Sequence, residues 1–99
     1  MTISKTIETD KIIFALNGRL DTVTAPLLQD DLISALGEVS EVVLDFTALV
    51  YISSAGLRVL LVGLKTAIAK GSSMTISNVS DDIMEVFKMT GFSGMLNII

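Results

Sequence analysis

The 99-residue chain contains no cysteine, no histidine and no tryptophan, and only one proline and one tyrosine. Without cysteine there is no disulfide framework and no thiolate nucleophile, and a reducing compartment suits such a chain. Without cysteine or histidine the usual nitrogen and sulfur ligands of a zinc site are missing, and so is the imidazole acid–base catalyst. These absences remove most enzyme classes, and the sequence suggests neither a metal nor a cofactor. Five aromatic side chains in all, four Phe and one Tyr, give a poor stacking platform for single-stranded nucleic acid. The charge of −4, with no cluster of Lys or Arg, also disfavours a phosphate backbone as ligand.

Long apolar runs are scarce as well. The greasiest stretch, residues 57–69, is broken by Arg58 and Lys65 and falls short of the roughly 20 residues a membrane span needs. The opening residues Met1-Thr2-Ile3-Ser4-Lys5-Thr6 do not read as a signal peptide. A soluble, cytoplasmic domain without membrane contact is expected.

What the chain does have is core material. Its hydrophobic fraction is 51% against 18% charged, and its length is that of one domain, residues 1–99. Residues 3–8 and 11–18 read as strands around a turn at Thr9-Asp10. Ile12, Phe14 and Leu16 alternate with Ile13 and Ala15, so both faces of the second strand are apolar and it is expected to be central, with helices on at least one side. Gly18-Arg19-Leu20-Asp21 reads as a loop. Thr24 is expected to cap a helix that has Pro26 in its first turn, Leu27, Leu28, Leu32, Ala35 and Leu36 at helical spacing, and Gly37 as terminator. Residues 41–46 form a short buried strand. A second helix opens at Ser53-Ser54-Ala55-Gly56 and closes at Lys70-Gly71. A strand at 74–77, a helix from Ser80-Asp81-Asp82 to Gly91, and an edge strand at 95–99 complete the order β-β-α-β-α-β-α-β. Such an order predicts an α/β domain with a mixed, mostly parallel sheet of about five strands and three or four helices.

The informative segment is Val50-Tyr51-Ile52-Ser53-Ser54-Ala55-Gly56-Leu57, where two serines stand at a helix start. Either serine could simply be a helix cap. The capping box, however, wants Glu or Gln where Gly56 and Leu57 stand. Glycine in a first turn also costs up to ~1 kcal/mol relative to Ala, so a close approach by another backbone or a phosphate would explain Gly56. Asp21 and Asp45 are further candidates, as site-shaping carboxylates or as turn caps. The pairs Asp30-Asp31 and Asp81-Asp82 read as solvated helix positions.

This serine segment resembles the phosphorylation motif of the anti-sigma-factor antagonists in the STAS family. The stretch Gly18-Arg19-Leu20-Asp21-Thr22-Val23-Thr24-Ala25-Pro26, the strand Val42-Val43-Leu44-Asp45 and the late Thr90-Gly91-Phe92 resemble the same family. The resemblance implies a single STAS domain that acts by partner switching. The unmodified form would bind an anti-sigma factor that is also a serine protein kinase, and so release the sigma factor. Phosphorylation would break the complex, and a PP2C-type phosphatase would restore it. The motif places the acceptor at Ser54 with Ser53 as rival, since many relatives carry Asp where Ser53 stands and Ser or Thr where Ala55 stands. Asp21, Thr24, Ser53, Ser54, Gly56, Leu57 and Arg58 are the implied partner-binding residues, on a domain expected to be monomeric when free.

Two other readings compete. A non-switching scaffold or sensor subunit would bind a nucleotide or other small ligand at the strand ends, although no P-loop or GxGxxG is present. A Ser-Lys hydrolase would need an elbow around Ser54 and a paired lysine, and Lys5, Lys11, Lys65, Lys70 and Lys88 offer no recognisable pairing. A non-enzymatic role is therefore expected.

Overall fold

A computed structural model describes all residues, 1–99. Five strands and three α-helices alternate: β1 (Thr2–Glu8), β2 (Lys11–Leu20), α1 (Ala25–Glu38), β3 (Glu41–Ile52), α2 (Ser54–Lys70), β4 (Ser73–Ser77), α3 (Asp81–Thr90) and β5 (Asn97–Ile98), with a 3₁₀ turn at Phe92–Gly94. Strands β1 and β2 form an antiparallel hairpin, and the remaining neighbours are parallel. The expected element order and mixed sheet are present.

Spatial order follows chain order, β1-β2-β3-β4-β5. Each crossover therefore steps one strand in the same direction, and the handedness rule then delivers every helix to the same face. The register agrees. Ile12, Val42 and Met74 lie in one row and Phe14, Leu44 and Ile76 in the next, and all six belong to the core cluster. Helix α1 adds Leu28, Leu32, Ala35 and Leu36 to this core, α2 adds Leu57, Val59 and Leu60, and α3 adds Ile83 and Phe87. Phe87 meets Phe46 with ring centroids 6.4 Å apart.

The other face of the sheet carries no helix. Its rows include Glu8–Lys11–Glu41–Ser73, Thr6–Ile13–Val43–Thr75–Asn97 and Ser4–Ala15–Asp45–Ser77. Parallel strands are usually covered on both sides. Here short hydroxyl side chains, Asp45 and the charged Glu8, Lys11 and Glu41 surround Ile13, Ala15 and Val43 and make an uncovered face compatible with water.

Three strands and one helix end differ from the sequence reading, the last strand being only Asn97–Ile98 where 95–99 was expected, because Met95 closes the 3₁₀ turn. Strand β2 does not stop at Gly18; it continues to Leu20, with a register shift between Gly18 and Arg19. Strand β3 does not stop at Phe46 but runs on to Ile52, pairing with Asn17, Gly18, Arg19 and Leu20. Gly37 lies inside the last turn of α1, and extended Val39 ends that helix. Gly71 and Gly91, by contrast, end α2 and α3 with φ of 70° and 80°, the left-handed conformation that glycine adopts without a Cβ clash.

Candidate functional site

The extra turns of β2 and β3 matter because they carry the two chain segments of interest to one end of the sheet. Arg19 pairs with Tyr51 and Leu20 with Ile52, so the loop after β2 lies beside the start of α2. The Ser53 N–H donates to the Leu20 carbonyl at 2.9 Å and locks the two together.

Ser53 is the N-cap of α2. Its backbone is extended, φ −97° and ψ 175°, and its Oγ accepts from the Gly56 N–H at 3.3 Å. This hydroxyl satisfies one of the amide donors that a helix start leaves free. Ser54 is the first helical residue; its side chain is exposed and makes no hydrogen bond to the protein. The chemistry available to the pair thus divides: one hydroxyl holds the helix and the other is free to be approached from solvent.

Gly56 has a different explanation from the one its position suggested. A Cβ there would stand 2.8 Å from Leu20 Cγ and 2.8 Å from Ile52 Cγ1. The close neighbours are core side chains from the ends of β2 and β3, and neither backbone nor phosphate is needed to account for the glycine. Leu57 is also turned inward, into the core cluster. Of the residues singled out by motif, Gly56 and Leu57 seat the helix, while Ser54 and Arg58 face solvent.

The loop ahead of α1 is built around Asp21. Its Oδ1 accepts from the Val23 N–H at 3.0 Å and the Thr24 N–H at 3.1 Å. The Asp21 N–H donates to Thr24 Oγ1 at 2.9 Å, and that hydroxyl donates to the Arg19 carbonyl at 2.8 Å. Thr24 therefore occupies the cap position of α1 without capping it: its backbone is already helical and its side chain makes no cap bond. Asp21, expected as a loop carboxylate near the serines, organises the turn. The Thr24 N–H is the main cause holding the Asp21 carboxyl below its ordinary pKa, against desolvation, with smaller help from the Thr24 hydroxyl, the Val23 N–H and Arg19.

Asp45 is not at this end. It lies in the middle of β3 on the uncovered face, where Oδ1 accepts from the Thr47 hydroxyl at 2.6 Å, the Thr47 N–H at 3.0 Å and Asn78 Nδ2 at 3.0 Å. The Thr47 hydroxyl leads the causes that lower its pKa. This is a structural carboxylate, in line with the turn-type alternative.

Sequence reasoning missed four exposed apolar side chains on the elements that meet at this end of the sheet. Val23, Leu27, Val50 and Tyr51 are all exposed, and all lie in the loop after β2, the first turn of α1 or the end of β3. The Arg19 guanidinium stacks over the Tyr51 ring, 4.1 Å from its centroid. The signal was present in Val50-Tyr51, but strand alternation could not be followed through the bulged end of β3. Between α1 and α2 runs an open groove of about 280 Å³ lined by Thr22, Ala25, Pro26, Gln29, Asp30, Ala55, Arg58 and Val59. No cluster of acidic residues able to hold a metal ion is present, and no helix is long and apolar enough to cross a membrane.

A two-layer α/β domain with a strictly sequential mixed sheet, and a serine displayed at the head of its second helix, defines the class. The STAS domain family model matches residues 2–99, and the chain belongs to that family. Solved structures agree at the level of fold. The unphosphorylated anti-sigma factor antagonist SpoIIAA superposes with a TM-score of 0.79 at 18% identity, covering 99% of this chain and 87% of that one. The phosphorylated form of the Bacillus cell fate determinant SpoIIAA gives 0.78 at 18% identity, covering 99% and 91%. An anti-sigma factor antagonist from Mycobacterium paratuberculosis gives 0.85 at 17% identity, covering 98% and 83%.

Proposed function

We propose that this STAS domain is an anti-sigma-factor antagonist that works by partner switching, with Ser54 as the phosphorylated residue and no enzymatic activity of its own. The observation that carries the reading is the division of labour between the two serines: Ser53 Oγ is engaged in capping α2, while Ser54 is exposed with its hydroxyl free. A kinase transfers the γ-phosphoryl group of ATP to Ser54 Oγ. The Oγ–P bond forms as the bond to ADP breaks, and the hydroxyl proton is lost. A PP2C-type phosphatase reverses the modification by hydrolysis.

The unmodified surface, with Val23, Leu27, Val50 and Tyr51 exposed on the loop after β2, the first turn of α1 and the end of β3, suits binding to an anti-sigma factor with serine kinase activity. A phosphate adds roughly −1.5 to −2 charges at neutral pH and resists desolvation in such an interface. A thousandfold loss of affinity corresponds to about 4 kcal/mol, comparable to one unit-charge pair at ~4 Å at an effective dielectric of 20. SpoIIAA supports the idea that the fold tolerates modification: its unphosphorylated and phosphorylated forms superpose on this chain almost equally, at TM-scores of 0.79 and 0.78. This reading places the domain in the cytoplasm.

Small-ligand sensing has less support. Ligand crevices in open α/β sheets form where strand order reverses, and here the order never reverses.

The test is phosphorylation by the cognate kinase with ATP. One phosphate is expected on the wild-type chain, none on Ser54→Ala, and one on Ser53→Ala. Labelling of Ser54→Ala together with loss of labelling in Ser53→Ala would overturn the assignment. Ser54→Asp is expected to weaken kinase binding while leaving the circular dichroism spectrum and unfolding midpoint unchanged.

A further inference from the structure

We infer that Arg58 is a built-in clamp for a phosphate on Ser54, so that modification both adds charge to the surface and withdraws the arginine from it; the inference rests on the Ser54 reading above. Ser54 and Arg58 lie four residues apart on α2, and both are exposed. That spacing brings Cβ atoms to about 5–6 Å on one helix face. Helical side chains lean toward the N-terminus of their helix, which directs a long residue at position 58 back over the turn that begins with Ser54. An anion placed N-terminal to a cation at this spacing is also the favoured order.

Arg58 is unclaimed in the unmodified protein. Lys11–Glu41 is the single salt bridge of the molecule, and Arg58 makes no side-chain hydrogen bond. It borders the groove between α1 and α2 that Thr22 and Asp30 also line. The other arginine of the chain, Arg19, is stacked on Tyr51. Guanidinium and phosphate oxygens match in a two-pronged geometry that an ammonium group cannot reproduce. In the unmodified state Arg58 is available to an acidic group of the partner. In the modified state the phosphate competes for it within the same helix turn.

The test uses full-length chain carrying phosphoserine at position 54 by genetic incorporation, so that it does not depend on any kinase. ³¹P NMR reads the second ionisation of the phosphate, ordinarily near pH ~6. The Arg58→Gln variant is expected to titrate about 0.2–0.4 of a unit higher than the otherwise wild-type phosphoprotein, the size expected for an i, i+4 pair acting on the one charge gained in that ionisation. Arg58→Lys should fall between them. Asp30 across the groove, Asp21 in the loop ahead of α1 and Arg19 at the end of β2 are common to all three chains. Equal titration of the wild-type and Arg58→Gln phosphoproteins would overturn the clamp, even if kinase labelling had already located the phosphate at Ser54. Should labelling instead locate it elsewhere while the titration difference holds, the pairing survives and only the switching role fails.

Discussion

Ser53 and Ser54 are adjacent and chemically identical, yet one hydroxyl is bonded to the Gly56 N–H and the other is not bonded to the protein at all. Their replacements should therefore separate cleanly in stability. Ser53→Ala removes a cap and is expected to cost about 1 kcal/mol, within the usual range of 0.5–2. Ser54→Ala puts a good helix former at an exposed first-turn position and should change stability by less than about 0.5 kcal/mol. Urea unfolding midpoints of the two variants check both values. Gly56→Ala forces a methyl group against Leu20 and Ile52 and is expected to cost about 1–3 kcal/mol by overpacking. The same strain would shift the head of α2, so slower phosphorylation of Ser54 should accompany it. The place of Ser54 at the head of α2 was legible in the sequence, but the reason for Gly56 was not. A glycine in a first turn looks the same whether a phosphate or a leucine approaches it, and only the fold shows Leu20 arriving from the end of β2.

At the scale of elements, α1 and α2 owe their close contact to a second glycine. A Cβ at Gly63 would stand 2.6 Å from Leu32 Cδ2 on α1 and 2.8 Å from Met74 Sδ on β4. Gly63→Ala should destabilise the domain by about 1–3 kcal/mol, and the pliable Met74 can absorb only part of the strain. Adding Leu32→Val to that variant should recover some of the loss, a coupling that a double-mutant cycle in urea would measure. Element types and order were readable because periodicity two in Ile12-Phe14-Leu16 and helical spacing in Leu28-Leu32-Ala35 are local signals. The ends of β2 and β3 were not. Gly18 has φ of 111° and reads as a strand terminator, but the ladder absorbs it as an irregularity and resumes at Arg19 and Leu20. Exposed Thr47 and Ala48 similarly interrupt the alternation of β3 without ending it. Pairing with a distant strand carried both segments onward, and a local pattern does not record its partner. These same added residues bring Asp21 and Ser53 into one neighbourhood, so the error in strand length was also an error about how the site is assembled.

Three carboxylates hold the turns of the molecule, and two of them, Asp10 and Asp45, join separate segments. Asp10, at the β1–β2 turn, accepts from the Ser40 N–H and hydroxyl at the start of β3. Asp21 organises the approach to α1, and Asp45 joins Thr47 to Asn78 beyond β4. All three have folded-state pKa values below the ordinary carboxylate value, led by the Ser40 hydroxyl, the Thr24 N–H and the Thr47 hydroxyl respectively. The sign follows from proton counting. Between the depressed folded values and the unfolded value near ~3.9, the unfolded chain binds more protons, so stability rises with pH there. The contribution is fully present above about pH 5 and is lost as pH falls through the folded values. Urea midpoints are expected to be level from about pH 5 to 7, as far as these three groups decide, and to drop below about pH 4. Asp45→Asn keeps an acceptor oxygen for Thr47 and Asn78 but cannot take up a proton in this range. It should lower the midpoint at neutral pH and make the acid-side decline shallower, whereas an unchanged slope would mean that another group governs acid unfolding. The uncovered sheet face makes Asp45 the informative choice among the three: it is far from the serines, so its replacement should leave the rate of Ser54 phosphorylation unaltered while changing the acid stability of the entire domain.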